Sequence, residues 1–292
     1  KALWPGIHAW WGRMYNEHEP QWPELFDKET SSKAYEEDVE ITGFGLAPTK
    51  PEGTGIVYDQ EQQGAVTRYT NVAYALGYIV TYEELRDDLY EVVSKRRAQQ
   101  LAFSMRQTEE NICANVYNRA FNSSFTGGDG VSLINTSHPT TSGNQSNQLT
   151  TAADLSEIAI EDLTIQVMQT QNNRGLRISV LPRSLHVPPQ LFYEASRILK
   201  SVLQNDTSNN AINVLKAANV IPEGAKVNNY FTSSTAWFIR TNVPRGMTYF
   251  EREKTSFDQD NDFDTKNAKA ACYMRFSVGW TDWRQLFGTA GV

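Results

Sequence analysis

Ser137 and His138 stand side by side in the small-residue stretch GVSLINTSHPTTSGNQSN, Gly130 to Asn147. A serine becomes a nucleophile when a base lies within hydrogen-bond reach and a third group orients that base, and such triads are normally gathered from distant parts of a chain. Adjacency alone does not supply this. No G-x-S-x-G elbow presents the hydroxyl, and Pro139 biases His138 toward extended backbone. The stretch reads instead as an ordered loop in which Asn135 and Ser137 hydrogen-bond nearby backbone.

The second candidate is the alternating run Asp258, Asp260, Asp262 and Asp264. In an extended strand, period two puts all four carboxylates on one face, an arrangement able to hold a hard cation such as Ca²⁺. An EF-hand does not fit: counting from Asp258, the sixth position is Phe263 instead of glycine and the twelfth is Lys269 instead of glutamate. A solvated turn, or a basic partner on a neighbouring subunit, is the preferred reading. The remaining chemistry is sparse. His8, His18, His138 and His186 show no metal-ligand spacing, and GGDG at 127–130 neither follows a strand nor opens a helix, so no metal or other cofactor is expected. Cys113 and Cys272 lie far apart without a C-x-x-C context, which points to a reducing compartment, with Cys113 a packing residue. The N-X-S/T matches at Asn122, Asn135, Asn144 and Asn205 are then accidental.

These residues need a scaffold, and 292 residues can bury a substantial core in one or two domains. With 7 Trp, 13 Tyr and 13 Phe the chain is too aromatic to be disordered. A net charge of −7 argues against tight nucleic-acid binding, which requires clustered Lys and Arg. No apolar run approaches the roughly 20 residues that span a bilayer, and KALWPGIHAWW lacks a signal-peptide core, so a soluble protein without an export signal is expected.

Along the chain, WPGIHAWWGRMYNEHEPQWPELF mixes tryptophans with Pro5, Pro20 and Pro23 and holds no period, and so reads as an extended arm. Trp4, Trp10, Trp11, Trp22 and Phe26 must then lie on another surface, either the body of this chain or a neighbouring subunit. Residues 41–81 read as a long hairpin with PTKPEGTG, carrying Lys50, at its polar tip. Thr81 and Glu84 form a capping box opening a helix over 82–121, with Leu85, Leu89, Val92, Leu101, Met105, Ile112 and Val116 on its apolar stripe, and its length of about 60 Å marks it as a strut. DLSEIAIEDLTIQVMQTQ predicts a helix capped by Asp154 or Ser156 and closed by Arg174-Gly175, followed by a strand at LRISVLP. A strand and helix over SLHVPPQLFYEASRILKSVL, a strand pair in NYFTSSTAWFIRT, and two long strands flanking the acidic turn complete an α+β chain.

This order of elements is similar to that of the major capsid proteins of tailed bacteriophages with the HK97-type fold. The phrases NTSHPTTSGNQSN, SLHVPPQLFYEASRIL, TAWFIRT and SVGWTDWRQLFG resemble those of Mu-type head subunits. The resemblance implies an N-arm over 1–40, an E-loop over 41–80, a P-domain with its spine helix over 81–153 and 246–292, and an A-domain over 154–245. It implies a structural head protein that assembles with itself into pentamers and hexamers, forming an icosahedral shell around double-stranded DNA. The virion would be its location and the bacterial cytoplasm its place of assembly. Decoration or cement proteins, a portal and a maturation protease are the implied partners, with cleavage before Lys1 one expectation. Trp4, Trp10, Trp11, Trp22, Phe26 and Lys50 are the expected assembly contacts. Closed rings need heterologous contacts, which a projecting arm and hairpin supply, and an acidic chain suits a container that must not grip its DNA. A Lys50–Asn267 isopeptide weld is not expected, because AKAACYMRF offers no glutamate to take the lysine proton. Two other readings remain: a cation-dependent virion decoration or binding protein, and a soluble enzyme without a recognisable motif.

Overall fold

The computed structural model describes residues 11–17, 19–86, 90–203 and 211–292, with side chains outside 85–95. In chain order, the arm holds helix α1 (residues 11–17), a 3-10 turn at Trp22–Glu24 opened by Pro23, and strand β1 (Asp27–Thr30). Strands β2 (Tyr35–Ile41) and β3 (Gln63–Thr70) pair as a two-stranded sheet around a loop over 42–62. Strand β4 (Val72–Val80) leads into α2 (Tyr82–Arg86) and α3 (Tyr90–Asn118). The short pair β5 (His138–Thr140) and β6 (Gly143–Gln145) precedes α4 (Glu157–Met168). Then follow β7 (Pro182–Val187), α5 (Phe192–Lys200), α6 (Val214–Ala217), β8 (Ala225–Val227) and β9 (Trp237–Thr241). Strands β10 (Met247–Asn261), β11 (Ala268–Trp280) and β12 (Leu286–Thr289) close the order.

These elements form two compact units. The first comprises Lys1–Glu36, Tyr69–Ala114 and Tyr249–Val278. Its sheet runs β1-β10-β11-β4, with β11 and β4 antiparallel from Ala268↔Val80 to Phe276↔Val72. Ala268, Ala270, Cys272, Met274 and Phe276 alternate inward along β11, the period-two signature of a strand with one covered face. The buried stripe of α3 is Ala98, Leu101, Ala102, Met105, Glu109, Cys113 and Tyr117, spaced by three and four residues.

The second unit comprises Glu37–Arg68, Asn115–Thr248 and Gly279–Val292. Its sheet runs β12-β9-β7-β8; β9 is antiparallel to both neighbours and β8 parallel to β7. Helix α4 starts where the Ser156 hydroxyl accepts from Ala159 N at 3.2 Å, and it lays Ile160, Leu163 and Val167 in a core with Leu185, Trp237, Ile239 and Phe287.

Several sequence expectations are corrected. The arm is not purely extended, since α1 and β1 lie within it. The long hairpin is β2 with β3; the second β-rich run breaks at Asn71, and β4 joins β11 instead. Asn71 donates to Ser31 Oγ at 2.8 Å and Lys33 O at 3.0 Å and accepts from Ser277 Oγ at 3.0 Å, and these distant partners set the break. Helix α3 ends at Asn118, three residues short of the expected 121, while residues 87–89 of the expected helix lie outside the described set. Ile112 and Val116 are half-buried beside its stripe, and the side chains of Leu85, Leu89 and Val92 lie outside the described set. Helix α4 ends at Met168, before Arg174-Gly175. LRISV forms no strand beyond a single bridge at Arg177, and NYFTSSTAWFIRT supplies only β9.

Candidate functional site

Trp11, Trp22 and Phe26 of the arm are buried in the first unit. Trp11 is buried and stacks between Tyr15 and Phe257, at 5.1 and 5.4 Å between ring centroids. Trp22 is buried against Tyr249, and Phe26 is buried with Leu25. Of the two surfaces open to these rings, the chain's own body takes Trp11, Trp22 and Phe26, so they offer no free face to a neighbour. Trp4 and Trp10 lie outside the described residues.

Two adjacent acids on α3 anchor this seating. Glu109 accepts from Tyr249 Oη at 2.8 Å, from Tyr15 Oη at 3.3 Å and from Arg106 at 2.7 Å. Glu110 Oε1 accepts from the backbone amides of Gln21 at 2.8 Å and Trp22 at 3.5 Å. Burial, together with the Glu109 charge, pushes the Tyr15 phenol up to about 12, and the same causes raise Tyr249. The sequence carried the signal for this pair: Glu109 falls four residues after Met105 and four before Cys113, on the apolar stripe itself.

In the second unit, the loop over 42–62 exposes Phe44, Leu46, Ile56, Val57 and Tyr58, with Leu46 at 80% and Tyr58 at 89% of full exposure. Lys50 sits on the same loop and is exposed. The loop is nevertheless shaped. Asp59 accepts from Gly45 N at 2.8 Å and from the Arg174 guanidinium, which also donates to Gln60 O at 3.1 Å; the arginine holds the Asp59 carboxyl well below the usual carboxylate range. At the base, Arg284 is 3% exposed and meets Glu40 Oε1 at 3.0 Å, Asp282 Oδ1 at 3.1 Å, Gln171 O at 2.9 Å and Asn173 Oδ1.

The Ser137–His138 pair is no catalytic corner. His138 is fully buried, its Nδ1 2.6 Å from Asp129 Oδ2 and its Nε2 3.1 Å from Asn147 Oδ1, and it stacks on Trp283 at 4.4 Å. Both ring nitrogens are engaged by structure. Ser137 Oγ accepts from Asn144 Nδ2 at 2.7 Å, and Ser137 N donates to Asn135 Oδ1 at 2.9 Å, the expected local loop bonding. Asn147 is the hub that sequence reading missed: it accepts from Asn135 N at 2.9 Å and donates to Leu133 O and Leu286 O, each at 2.8 Å.

The four aspartates do not share one strand face. Asp258 and Asp260 are exposed on β10, but the strand stops at Asn261 and the chain turns, with Lys266 at φ 57°. Asp262 accepts from Lys269 Nζ at 2.6 Å and from Asp264 N at 3.2 Å, and the lysine lowers its carboxyl below the ordinary range. Among the described residues no group of three or more His, Cys, Asp or Glu side chains is placed to hold a metal ion. Asn267 Oδ1 accepts from Tyr82 N at 3.1 Å, so its side chain is engaged locally.

Residues 64–287 match the family described as phage capsid protein. The chain belongs to that family. The phage capsid chain resembles the capsid structure of cyanophage P-SCSP1u, with a TM-score of 0.58 at 9% identity, over 90% of this chain and 85% of that one. It resembles a structure from Mycobacterium phage Che8 with a TM-score of 0.54 at 12% identity, over 92% and 90% of the two chains. It also resembles the procapsid of bacteriophage JBD30, with a TM-score of 0.52 at 13% identity, over 99% and 75%. No curated protein matches it by sequence. The fold is the HK97 type, and the protein is a structural phage capsid protein. It is a virion component, and no helix among its described residues is long and apolar enough to cross a membrane.

Proposed function

We propose that copies of this chain assemble into pentamers and hexamers that close an icosahedral shell around phage double-stranded DNA, within the bacterial cytoplasm. The observation that carries this is the loop over 42–62, whose Phe44, Leu46, Ile56, Val57 and Tyr58 are exposed together on one segment. Such a patch marks an association surface. A projecting loop meeting a different surface on the next copy gives the heterologous contact that rings require. In the capsid vocabulary, 1–40 is the N-arm, 41–80 the E-loop region, 81–153 with 246–292 the P-domain and 154–245 the A-domain. The assembly contacts centre on the loop, with Lys50 at its rim; Trp11, Trp22 and Phe26 act by fixing the arm's shape. The protein works as a structural element and not as an enzyme, alongside a portal, a maturation protease and decoration proteins.

Negative-stain microscopy of the purified chain tests this. Rings, sheets or shells are expected, and replacing Ile56, Val57 and Tyr58 with serine should abolish them while leaving a folded subunit. A monodisperse monomer at high concentration, from the unsubstituted chain, overturns the reading.

A further inference from the structure

Glu110 is 2% exposed, and its two carboxyl oxygens have unequal surroundings. Oε1 receives the amides of Gln21 and Trp22, whereas Oε2 meets no hydrogen-bond donor among the described residues. A buried ionised carboxylate with one bare oxygen is costly, and the cost falls when that oxygen carries a proton. The surroundings are otherwise poor in compensation. On its own helix, Glu109 adds a like charge, Arg106 is engaged by Glu109, and Cys113 lies one turn on as a buried thiol. From the arm come the two amides and the Tyr15 phenol; from β10 comes the Tyr249 phenol, both phenols being directed to Glu109. Lys28 on β1 is paired with Glu251 at 2.6 Å.

We infer that Glu110 is a proton-operated latch on the arm: protonation of its carboxyl holds residues 19–26 on α3, and ionisation loosens them. This goes beyond the shell reading and does not depend on it. Burial, the largest cause, and then the Glu109 charge raise the Glu110 carboxyl above its ordinary range, against the pull of the two amides and of the Arg106 charge. An acid raised in the docked state favours docking at low pH. That stability is fully present below the ordinary glutamate range, near pH ~4.3, and is lost as pH rises through the raised value. The device couples the seating of Trp22 to the proton concentration around the particle without any ligand.

Hydrogen exchange of the full-length protein tests it, read on the peptide covering Gln21–Phe26 as a protection factor corrected for intrinsic exchange. As pH rises from about 4, below the ordinary glutamate value, to about 8, protection should fall severalfold. Peptides from α4 should show no such fall. Glu110→Gln, neutral and nearly isosteric, should give equal protection at both. Equal or greater protection of the wild-type peptide at the higher pH overturns the latch, as does a slope that persists in E110Q. The wild-type comparison decides even where the variant folds poorly.

Discussion

Trp22 stacks on Tyr249 with ring centroids 4.0 Å apart and planes 18° from parallel, joining the arm to the long strand β10. Truncating a buried tryptophan leaves a cavity as well as lost transfer energy, so Trp22→Ala should destabilise the subunit by about 3–5 kcal/mol. Trp22→Phe keeps a ring over Tyr249 and should cost less. Denaturant midpoints of both variants check the order.

Arg284 is enclosed by Glu40, Asp282, Gln171 and Asn173. Removing one partner of a buried ion pair leaves uncompensated charge, so Arg284→Met should cost about 3–5 kcal/mol. It should also raise hydrogen exchange across 37–68, because Glu40 sits on β2 at the base of the exposed loop. Unchanged exchange there would show that Arg284 does not brace the loop.

Asn147 and Ser137 should separate sharply. Asn147→Ala orphans the Leu133 and Leu286 carbonyls and the Asn135 amide, at roughly 1–3 kcal/mol for each group left buried. Ser137→Ala removes one acceptor at the loop surface and should stay within about 0.5 kcal/mol. Thermal unfolding of both variants measures the contrast, and a severe loss from Ser137→Ala would reopen the question of that hydroxyl.

His186 gives the second unit a pH response of its own. Burial, then the charges of Arg240, Lys226 and Arg183, push its imidazole down to about 3. Below the ordinary value of about 6.5, the unfolded chain takes up a proton that the folded chain refuses, so stability falls as pH drops from there toward about 3. Urea midpoints near neutral pH and at about pH 5 should show the loss, and His186→Gln should flatten it. The sign is opposite to that of Glu110.

The aspartate turn should be insensitive to divalent ions. Asp260→Asn and Asp262→Asn should leave particle melting nearly unchanged, the latter losing only the exposed Lys269 pair, and chelator should have no effect. A chelator-sensitive transition that vanishes in the double variant would restore the cation site.

Local signals were the legible part of this chain. The Thr81–Glu84 capping box is present in both directions, at 3.2 and 3.3 Å, and the strands flanking the acidic turn follow their alternation. Long-range partners decided the rest. The run over 63–80 is β-prone, and the bonds that Asn71 makes to distant residues, among them Ser31, Lys33 and Ser277, divide it between two sheets. Arg284 and Asn147 look like ordinary polar residues until the fold closes around them. Glu109 and Glu110 were legible by position but were masked by their charge, which argues for a helix surface.

The interleaving of the two units has a consequence for synthesis on the ribosome. The first unit needs β1, β4 and β11, so its sheet cannot be complete until residue 280 has been made. The second needs β12 against β9, and Phe287 for its core, so it waits until residue 289. Neither unit can finish while most of the chain is still nascent. The loop bearing Tyr58 emerges long before Arg284 can brace its base, so on the proposed assembly this apolar segment is made before any finished subunit exists to receive it. Translation order itself separates folding from premature association, and it makes the interval before residue 284 the one in which a chaperone would matter most.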